Sequence, residues 1–328
     1  MATKYGIATS ASRFSNKRHS YIIYIIRKGK ENKMKKILMI VCLAATFLGY
    51  GMNADAKKKE MAFQMYSVRD LIGNPEKYAK NHENTLKELA KMGYTAIEAA
   101  NYGDGKLYGV TPEQFKADIE AAGMKVLSSH VGHNLSGDEL QSGNFDGALK
   151  WWEQCIEAHK RAGMKYIVNP GVNYPKTLAE AEVICKYLNK VGEMVNAAGM
   201  KFGYHNHSHE FGKVEGKVWY DYMLEHTDAD KVFFEMDVYW AVRGQVSPVE
   251  YFNKYPGRFT LLHIKDHKEF GESGMVGFDA IFKNADKAGL KHLVVELEGS
   301  NRPNILDGMK VCADYLKAAK FVKASYDK

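Results

Sequence analysis

Between residues 62 and 296 short apolar runs alternate with longer amphipathic stretches, a pattern that predicts strand and helix in turn. Runs at 62–66, 95–98, 125–130, 166–169, 202–205, 232–236, 260–264 and 292–296 predict eight strands. Amphipathic stretches at 83–92, 112–122, 147–162, 178–198 and 278–288 predict helices between them, and the helical pattern is poor after the fifth and sixth strands. A local signal recurs at these junctions: Ala122-Gly123-Met124-Lys125, Ala162-Gly163-Met164-Lys165, Ala198-Gly199-Met200-Lys201 and Ala288-Gly289-Leu290-Lys291, with Lys91-Met92-Gly93-Tyr94 as a looser copy. Glycine there supplies the left-handed turn that stops a helix before a strand. Count, length and order fit an α/β fold in one domain, an eight-fold (βα)8 TIM barrel, with a doubly wound open sheet as the alternative. No Gly-rich dinucleotide or phosphate loop follows any strand: Asn101-Tyr102-Gly103-Asp104-Gly105 lacks the pattern.

The first 56 residues read differently. Met34-Lys35-Lys36, the apolar stretch 37–48 and Ala54-Asp55-Ala56 have the form of a secretory signal peptide with its cleavage site. The apolar run is too short for a spanning helix, and Val41 before Cys42 disfavours a lipoprotein. The expected organisation is an N-terminal extension and signal over 1–56, with Met34 a candidate start, and a barrel domain over 57–328, exported to the periplasm or beyond. This changes the meaning of the formal charge of +7, because ten Lys and Arg lie in residues 1–56 and leave 36 basic against 37 acidic residues. No nucleic-acid footprint survives. Cys155, Cys185 and Cys312 are odd in number and scattered over predicted helices, which is not a disulfide framework.

Chemistry concentrates at the predicted strand ends. The run Tyr204-His205-Asn206-His207-Ser208-His209-Glu210 is followed by Asp237, His263 and Glu296 at spacings of 27, 26 and 33 residues, close to one βα unit each. In a parallel barrel such ends converge on one mouth. Asp237 and Glu296 close strands that otherwise look buried, and a buried carboxylate needs a cation or a basic neighbour. With His263 they suit one divalent ion that keeps open positions: Mn²⁺ first, with Co²⁺, Mg²⁺ or Zn²⁺ as alternatives. Glu210 is the expected fourth ligand and His205 the alternative. Gln64, Tyr66, Arg69, Glu98, His130, His133, Asn169 and Lys265 add a polar ring that suits a polyol better than an aromatic ligand. Tyr239 and Trp240 offer a flat surface for a sugar ring.

Five ordered segments carry a resemblance: Gln64-Met65-Tyr66-Ser67-Val68-Arg69, the Tyr204 to Glu210 run, Met236-Asp237-Val238-Tyr239-Trp240, Leu262-His263-Ile264-Lys265-Asp266 and Val295-Glu296-Leu297-Glu298. Over about residues 61–322 the chain resembles the sugar phosphate isomerase and epimerase superfamily, the xylose isomerase-like barrels that include inosose dehydratases and endonuclease IV-type nucleases. The resemblance implies one divalent ion held near strand five and at strands six, seven and eight, the last three positions being Asp237, His263 and Glu296. His205-Asn206-His207 stands where an epimerase-like Glu-Asn-His is expected, which is closer to dehydratase-like members and places the remaining ligand role on Glu210. Trp240 replaces a histidine common in relatives, and with the near-neutral charge this argues against the multi-zinc site of the nucleases.

The chemistry implied is proton abstraction beside a metal-bound carbonyl, with Glu98, His130 and His205 as acid/base candidates and Lys265 placing a substrate oxygen. Gln64, Tyr66, Arg69, His133, His207 and Trp240 are the expected substrate contacts. An exported member is expected to act on a free keto-sugar or a glycoside. The first reading is a keto-sugar isomerase or epimerase working through an enediolate; the second is a lyase or dehydratase that eliminates from a 3-keto-glycoside. A non-catalytic sugar-binding protein and a nuclease are the readings from other classes. The partner is a small sugar or glycoside, with no nucleic acid and no membrane span after cleavage, and a homo-oligomer is compatible with all of this.

Overall fold

In a computed structural model of the chain, which describes residues 58–327, each recurring Ala-Gly-Met-Lys or Ala-Gly-Leu-Lys segment closes a helix and opens a strand by the same bonds. Gly123, Gly163, Gly199 and Gly289 have φ between 77° and 85°, the left-handed conformation that glycine adopts without a Cβ clash. The residue after each glycine donates its N–H back into the helix: Met124 to Ile119, Met164 to His159, Met200 to Val195 and Leu290 to Ala285, at 3.1–3.2 Å. Its side chain is buried. The following lysine donates to the preceding strand unit: Lys125 to Thr95, Lys165 to Leu127, Lys201 to Lys165 and Lys291 to Thr260. One turn therefore ends the helix, anchors it to the sheet and sets the register of the next strand.

The barrel strands are β1 (Ala62–Gln64), β2 (Ala96–Ala99), β3 (Lys125–His130), β4 (Tyr166–Asn169), β5 (Lys201–His205), β6 (Val232–Asp237), β7 (Leu261–Ile264) and β8 (His292–Val295). All pair in parallel, and β1 against β8 closes the ring, with Ala62 opposite Val294. The barrel is closed, so the open-sheet alternative falls. Helices cover the outer face, which is why the strands are nearly continuously apolar. The three cysteines of the domain are buried and free. Among the described residues no helix is long and apolar enough to cross a membrane. The expected signal segment and residues 1–33 lie outside the described residues.

Two of the expected helices have different boundaries. The helix expected over 83–92 starts at Pro75, because Asn74 caps it by accepting from Lys77 N and Pro75 occupies its first turn. The helix expected over 278–288 breaks at Asn284 into Phe278–Lys283 and Ala285–Ala288. After β5 and β6 the helices are short, Trp219–His226, Val238–Arg243 and Pro248–Lys254, too few turns to show a period.

Side chains inside the barrel follow the strand period of two. Ala62, Ala96, Leu127, Tyr166, Val168, Phe233, Leu261 and Val294 form an apolar inner layer. Gly203 belongs to it by omission, since a Cβ there would lie 2.4 Å from the Phe233 ring. Two residues further along, the same strands carry Gln64, Glu98, His205, Glu235, His263 and Glu296, and two further still Asp237 and Lys265. The strand alternation thus builds a polar site on an apolar floor, at the carboxyl ends of the strands where barrel active sites are found.

Candidate active site

Asp237 ends β6 and caps the helix Val238–Arg243: its Oδ1 accepts from Trp240 N at 2.7 Å. Its other oxygen, Oδ2, is buried and has no hydrogen-bond partner among the described residues. Neither has His263 Nδ1, which stands 3.9 Å from Asp237 Oδ2 and 3.5 Å from Glu296 Oε2. Ligating atoms of Asp237, His263 and Glu296 all lie within 4.8 Å of one another. Two unmatched buried polar atoms beside a carboxylate could be satisfied by a cation, and two carboxylates with one imidazole suit a divalent ion. His263 Nε2, on the far side of the ring, lies 2.7 Å from Glu98 Oε1, the carboxylate partner that orients a metal-binding imidazole.

Charge in this outer group is balanced by Lys265, whose ammonium reaches Glu296 Oε2 at 2.8 Å and Glu298 Oε1 at 2.9 Å. Burial alone would raise the Glu296 carboxyl, but His263 and Lys265 outweigh it and hold it far below the ordinary range. Asp237 goes the other way: burial, with Glu296 adding, pushes it up to about 7 against the pull of Lys265 and His263. Burial would lower the Lys265 ammonium, yet Glu296 and Asp237 raise it. Trp240 stands above this group, its ring centroid 5.1 Å from Lys265 Nζ, and its indole N–H is buried without a hydrogen-bond partner among the described residues.

Beneath lies an inner group. Glu98, fully buried at the end of β2, accepts from Ser128 Oγ at 2.6 Å and Gln64 Nε2 at 3.0 Å. His130 Nε2 sits between two carboxylates, 3.1 Å from Glu98 Oε1 and 2.7 Å from Glu235 Oε2. Burial would lower His130, but Glu98 and Glu235 together raise it. His205 Nδ1 approaches Glu235 Oε2 at 3.3 Å without a hydrogen bond. Burial, then the neighbouring His263 and His130, holds this imidazole well below its ordinary value. The structure therefore places a charge-favoured imidazole and a neutral one side by side, ring centroids 4.6 Å apart.

Several expected residues have settled geometry. Gln64 is committed at both ends of its amide, donating to Glu98 and accepting from Tyr66 N at 3.0 Å, so it braces the site instead of facing a ligand. Glu210 does not join Asp237, His263 and Glu296; it groups with His207 and His209. Its oxygens accept from Tyr204 OH and His207 N, both at 2.9 Å, which fixes the loop after β5. His133 stacks on Trp151 at 4.9 Å. Tyr66 and Arg69 form a rim: Arg69 lies 4.4 Å over the Tyr66 ring and donates to Glu298 O at 2.9 Å. His207 is half-buried, 5.8 Å from Trp240 between ring centroids.

Glu235 is the residue that sequence reasoning passed over. It sits inside a run of apolar residues, Val232-Phe233-Phe234-Glu235-Met236, where a carboxylate is unexpected. The period of two from Asp237 was the signal that could have found it.

Comparison with known proteins agrees with this fold. A family model described as "Xylose isomerase-like TIM barrel" matches residues 86–319. The inosose dehydratase of Geobacillus kaustophilus is 25% identical over 213 residues, 60% of this chain and 65% of that protein, so the chain spans slightly less than two thirds of that relative. The inosose dehydratase of Clostridium perfringens strain 13 is 26% identical over 77% of this chain and 83% of its own length. Among solved structures, a sugar phosphate isomerase/epimerase from Parabacteroides distasonis superposes with a TM-score of 0.73 at 37% identity, covering 81% of this chain and 100% of that one. A closed eight-stranded parallel barrel with acidic and imidazole side chains at its carboxyl mouth, matched over most of its length by that model, places the chain in the xylose isomerase-like TIM barrel family.

Proposed function

We propose that the chain is a divalent-metal-dependent enzyme that removes the proton next to the ketone of a sugar or cyclitol and expels the oxygen substituent on the following carbon. The observation that carries this reading is the pair of buried, unmatched atoms Asp237 Oδ2 and His263 Nδ1 beside Glu296. A divalent ion held by Asp237, His263 and Glu296 supplies Lewis acidity that makes the adjacent C–H more acidic. Mn²⁺ fits this mixed oxygen and nitrogen set, and Zn²⁺ or Co²⁺ would also fit.

The rest is done by side chains of the chain. Neighbouring groups whose environments push their pKa values apart mark the base and the acid. His205, kept neutral by burial and by adjacent imidazoles, takes the carbon-bound proton. His130, whose charged form Glu98 and Glu235 favour, gives a proton to the departing oxygen. The C–H pair becomes the new double bond as the C–O bond breaks, so no oxidant or reductant is needed. Glu98 is saturated by four donors or near donors and holds His263 in orientation. Lys265 keeps Glu296 ionised.

Elimination is favoured over epimerisation because His205 stands at the strand-five position where a carboxylate is expected in epimerase-like relatives, and because curated relatives are inosose dehydratases. Return of the proton to carbon, giving isomerisation or epimerisation, is the second reading. It is supported by the likeness to the Parabacteroides distasonis isomerase/epimerase. Action outside the cytoplasm follows from the signal-like residues 34–56 and belongs to the same proposal.

The test is turnover of keto-sugars, inososes and keto-glycosides by the mature chain in D₂O, with Mn²⁺ and with EDTA. Metal-dependent formation of an unsaturated ketone with release of water or an alcohol supports elimination. Metal-dependent deuterium incorporation without release supports the second reading, and absence of both rejects enolisation.

A further inference from the structure

The lysines that close the Ala-Gly-Met-Lys and Ala-Gly-Leu-Lys turns take no part in the chemistry at the carboxyl mouth. Three of them gather at the other end of the barrel, where Lys125 opens β3, Lys165 precedes β4 and Lys291 precedes β8. They line a cavity of about 460 Å³ at the amino ends of the strands. Ala62, Ala96 and Leu127, from the apolar inner layer, form its inner wall. Its charged lining is four lysines, Lys58, Lys125, Lys165 and Lys291, against two carboxylates, Glu60 and Asp327. That is a local excess of cations in a domain with 36 basic and 37 acidic residues.

Most of this positive charge is unanswered. Among the described residues Lys58, Lys125 and Lys291 make no ion pair, and Lys165 makes one, to Asp327 Oδ2 at 3.9 Å. Glu60 is turned aside to accept from the Ser325 hydroxyl. Asp327 Oδ2 also stands 3.7 Å from His292 Nε2, a nitrogen of the cavity lining that is buried and has no hydrogen-bond partner among the described residues. The tail that brings Asp327 here is anchored just before it, since Tyr326 is buried and Ala324 O accepts from Glu60 N at 2.8 Å. Its carboxylate is thus a tethered anion among cations, held by contacts too long for hydrogen bonds. An exposed ion pair of that length contributes little, so an oxyanion from solution can take its place.

The volume lies within the range of small-molecule sites. Lysines lining it from β3, from the turns before β4 and β8 and from the segment before β1 suit a dianion better than one carboxylate, and lysine binds phosphate as a point charge. The apolar inner wall suits an organic group behind that charge. We infer that this cavity is a second ligand site, for the phosphate monoester of a small organic molecule, with the phosphate in the place of the Asp327 carboxylate. It lies at the opposite end of the barrel from Asp237, His263 and Glu296, and it does not depend on the elimination reading.

The experiment measures calorimetric binding of phenyl phosphate and of inorganic phosphate to the protein in EDTA, which keeps any metal at the other mouth from holding the phosphate. The expected result is one site for phenyl phosphate, with inorganic phosphate weaker by about tenfold or more because it leaves the apolar wall uncovered. Lys125→Met combined with Lys291→Met should weaken phenyl phosphate about tenfold or more. Asp327→Asn removes the tethered competitor and should tighten binding by about threefold or more. Asp230→Asn, on the turn before β6 at the same end but outside the cavity, should leave it within about twofold. Absence of phenyl phosphate binding, an unchanged affinity in the double lysine variant, or equal gains from Asp327→Asn and Asp230→Asn overturns the site. Binding to phosphatidylglycerol vesicles without binding of phenyl phosphate in solution reads a flat basic face and overturns it as well.

Discussion

Replacing Asp237 by asparagine separates the cost of the site from its use. The wild-type carboxyl is buried, caps a helix through Oδ1, and has its other oxygen unmatched. Burial first, with the charge of Glu296 adding, pushes it up to about 7 from 3.8. A carboxyl raised on folding keeps its proton in the folded state between about pH 4 and pH 7 while the unfolded chain has released it. Stability is therefore lost as pH rises through that window, and stays lost above it. At about 1.36 kcal/mol per unit, the cost in metal-free protein reaches about 4 kcal/mol at pH 8 and about 2 kcal/mol at pH 5. Asparagine keeps the cap and carries no charge. In EDTA, Asp237→Asn should be more stable than wild type by up to about 4 kcal/mol at pH 8, the gap halving at pH 5. In Mn²⁺ the order should reverse, because only the wild type gains the stabilisation of a bound ion. Urea unfolding at both pH values, with EDTA and with Mn²⁺, reads all four quantities. A variant that is less stable in EDTA at pH 8, shows no change in the gap with pH, or keeps the Mn²⁺ effect refutes the reasoning.

Other changes test single links. Lys265→Met leaves Glu296 without its ammonium and should destabilise the metal-free chain by about 3–5 kcal/mol in urea, with the double variant Lys265→Met, Glu296→Gln recovering much of the loss. Gly203→Ala drives a methyl into the Phe233 ring, 2.4 Å away, and should cost about 1–3 kcal/mol by thermal unfolding. Glu210→Gln should leave Mn²⁺ affinity by calorimetry within a few-fold of wild type, since Glu210 is tied to Tyr204 and His207; loss of binding would restore it as a ligand. His130→Asn should lower turnover by about 10²–10⁴ for alkyl leaving groups and far less for p-nitrophenol, which departs without protonation.

The barrel was legible because its signals are local and repeated. The same glycine turn ends four helices, and each strand is a short apolar run, so count and order could be read with an error of a residue or two. What was lost was lost for physical reasons. The helix beginning at Pro75 opens with polar turns that show no apolar stripe, and helices such as Val238–Arg243 are too short for one. In the site, Asp237, His263 and Glu296 stood out because each ends an apolar strand, and the fold brings them together. Glu210 looked like a ligand because of its place in a His-rich run; only the three-dimensional loop shows its oxygens occupied. Glu235 was hidden among aromatic residues, although it shares a face with Asp237. Gln64 was recognisable as polar, but its bracing of Glu98 depends on the register of β1 against β2, which no local pattern encodes.

The most direct measurement is anomalous diffraction at the manganese edge from crystals of the protein grown with Mn²⁺. The account predicts a peak about 2.0–2.3 Å from Asp237 Oδ2, His263 Nδ1 and a Glu296 oxygen, lost in Glu296→Gln. A peak held by His207, His209 and Glu210, or none at the triad in crystals of protein that turns over substrate, would contradict it.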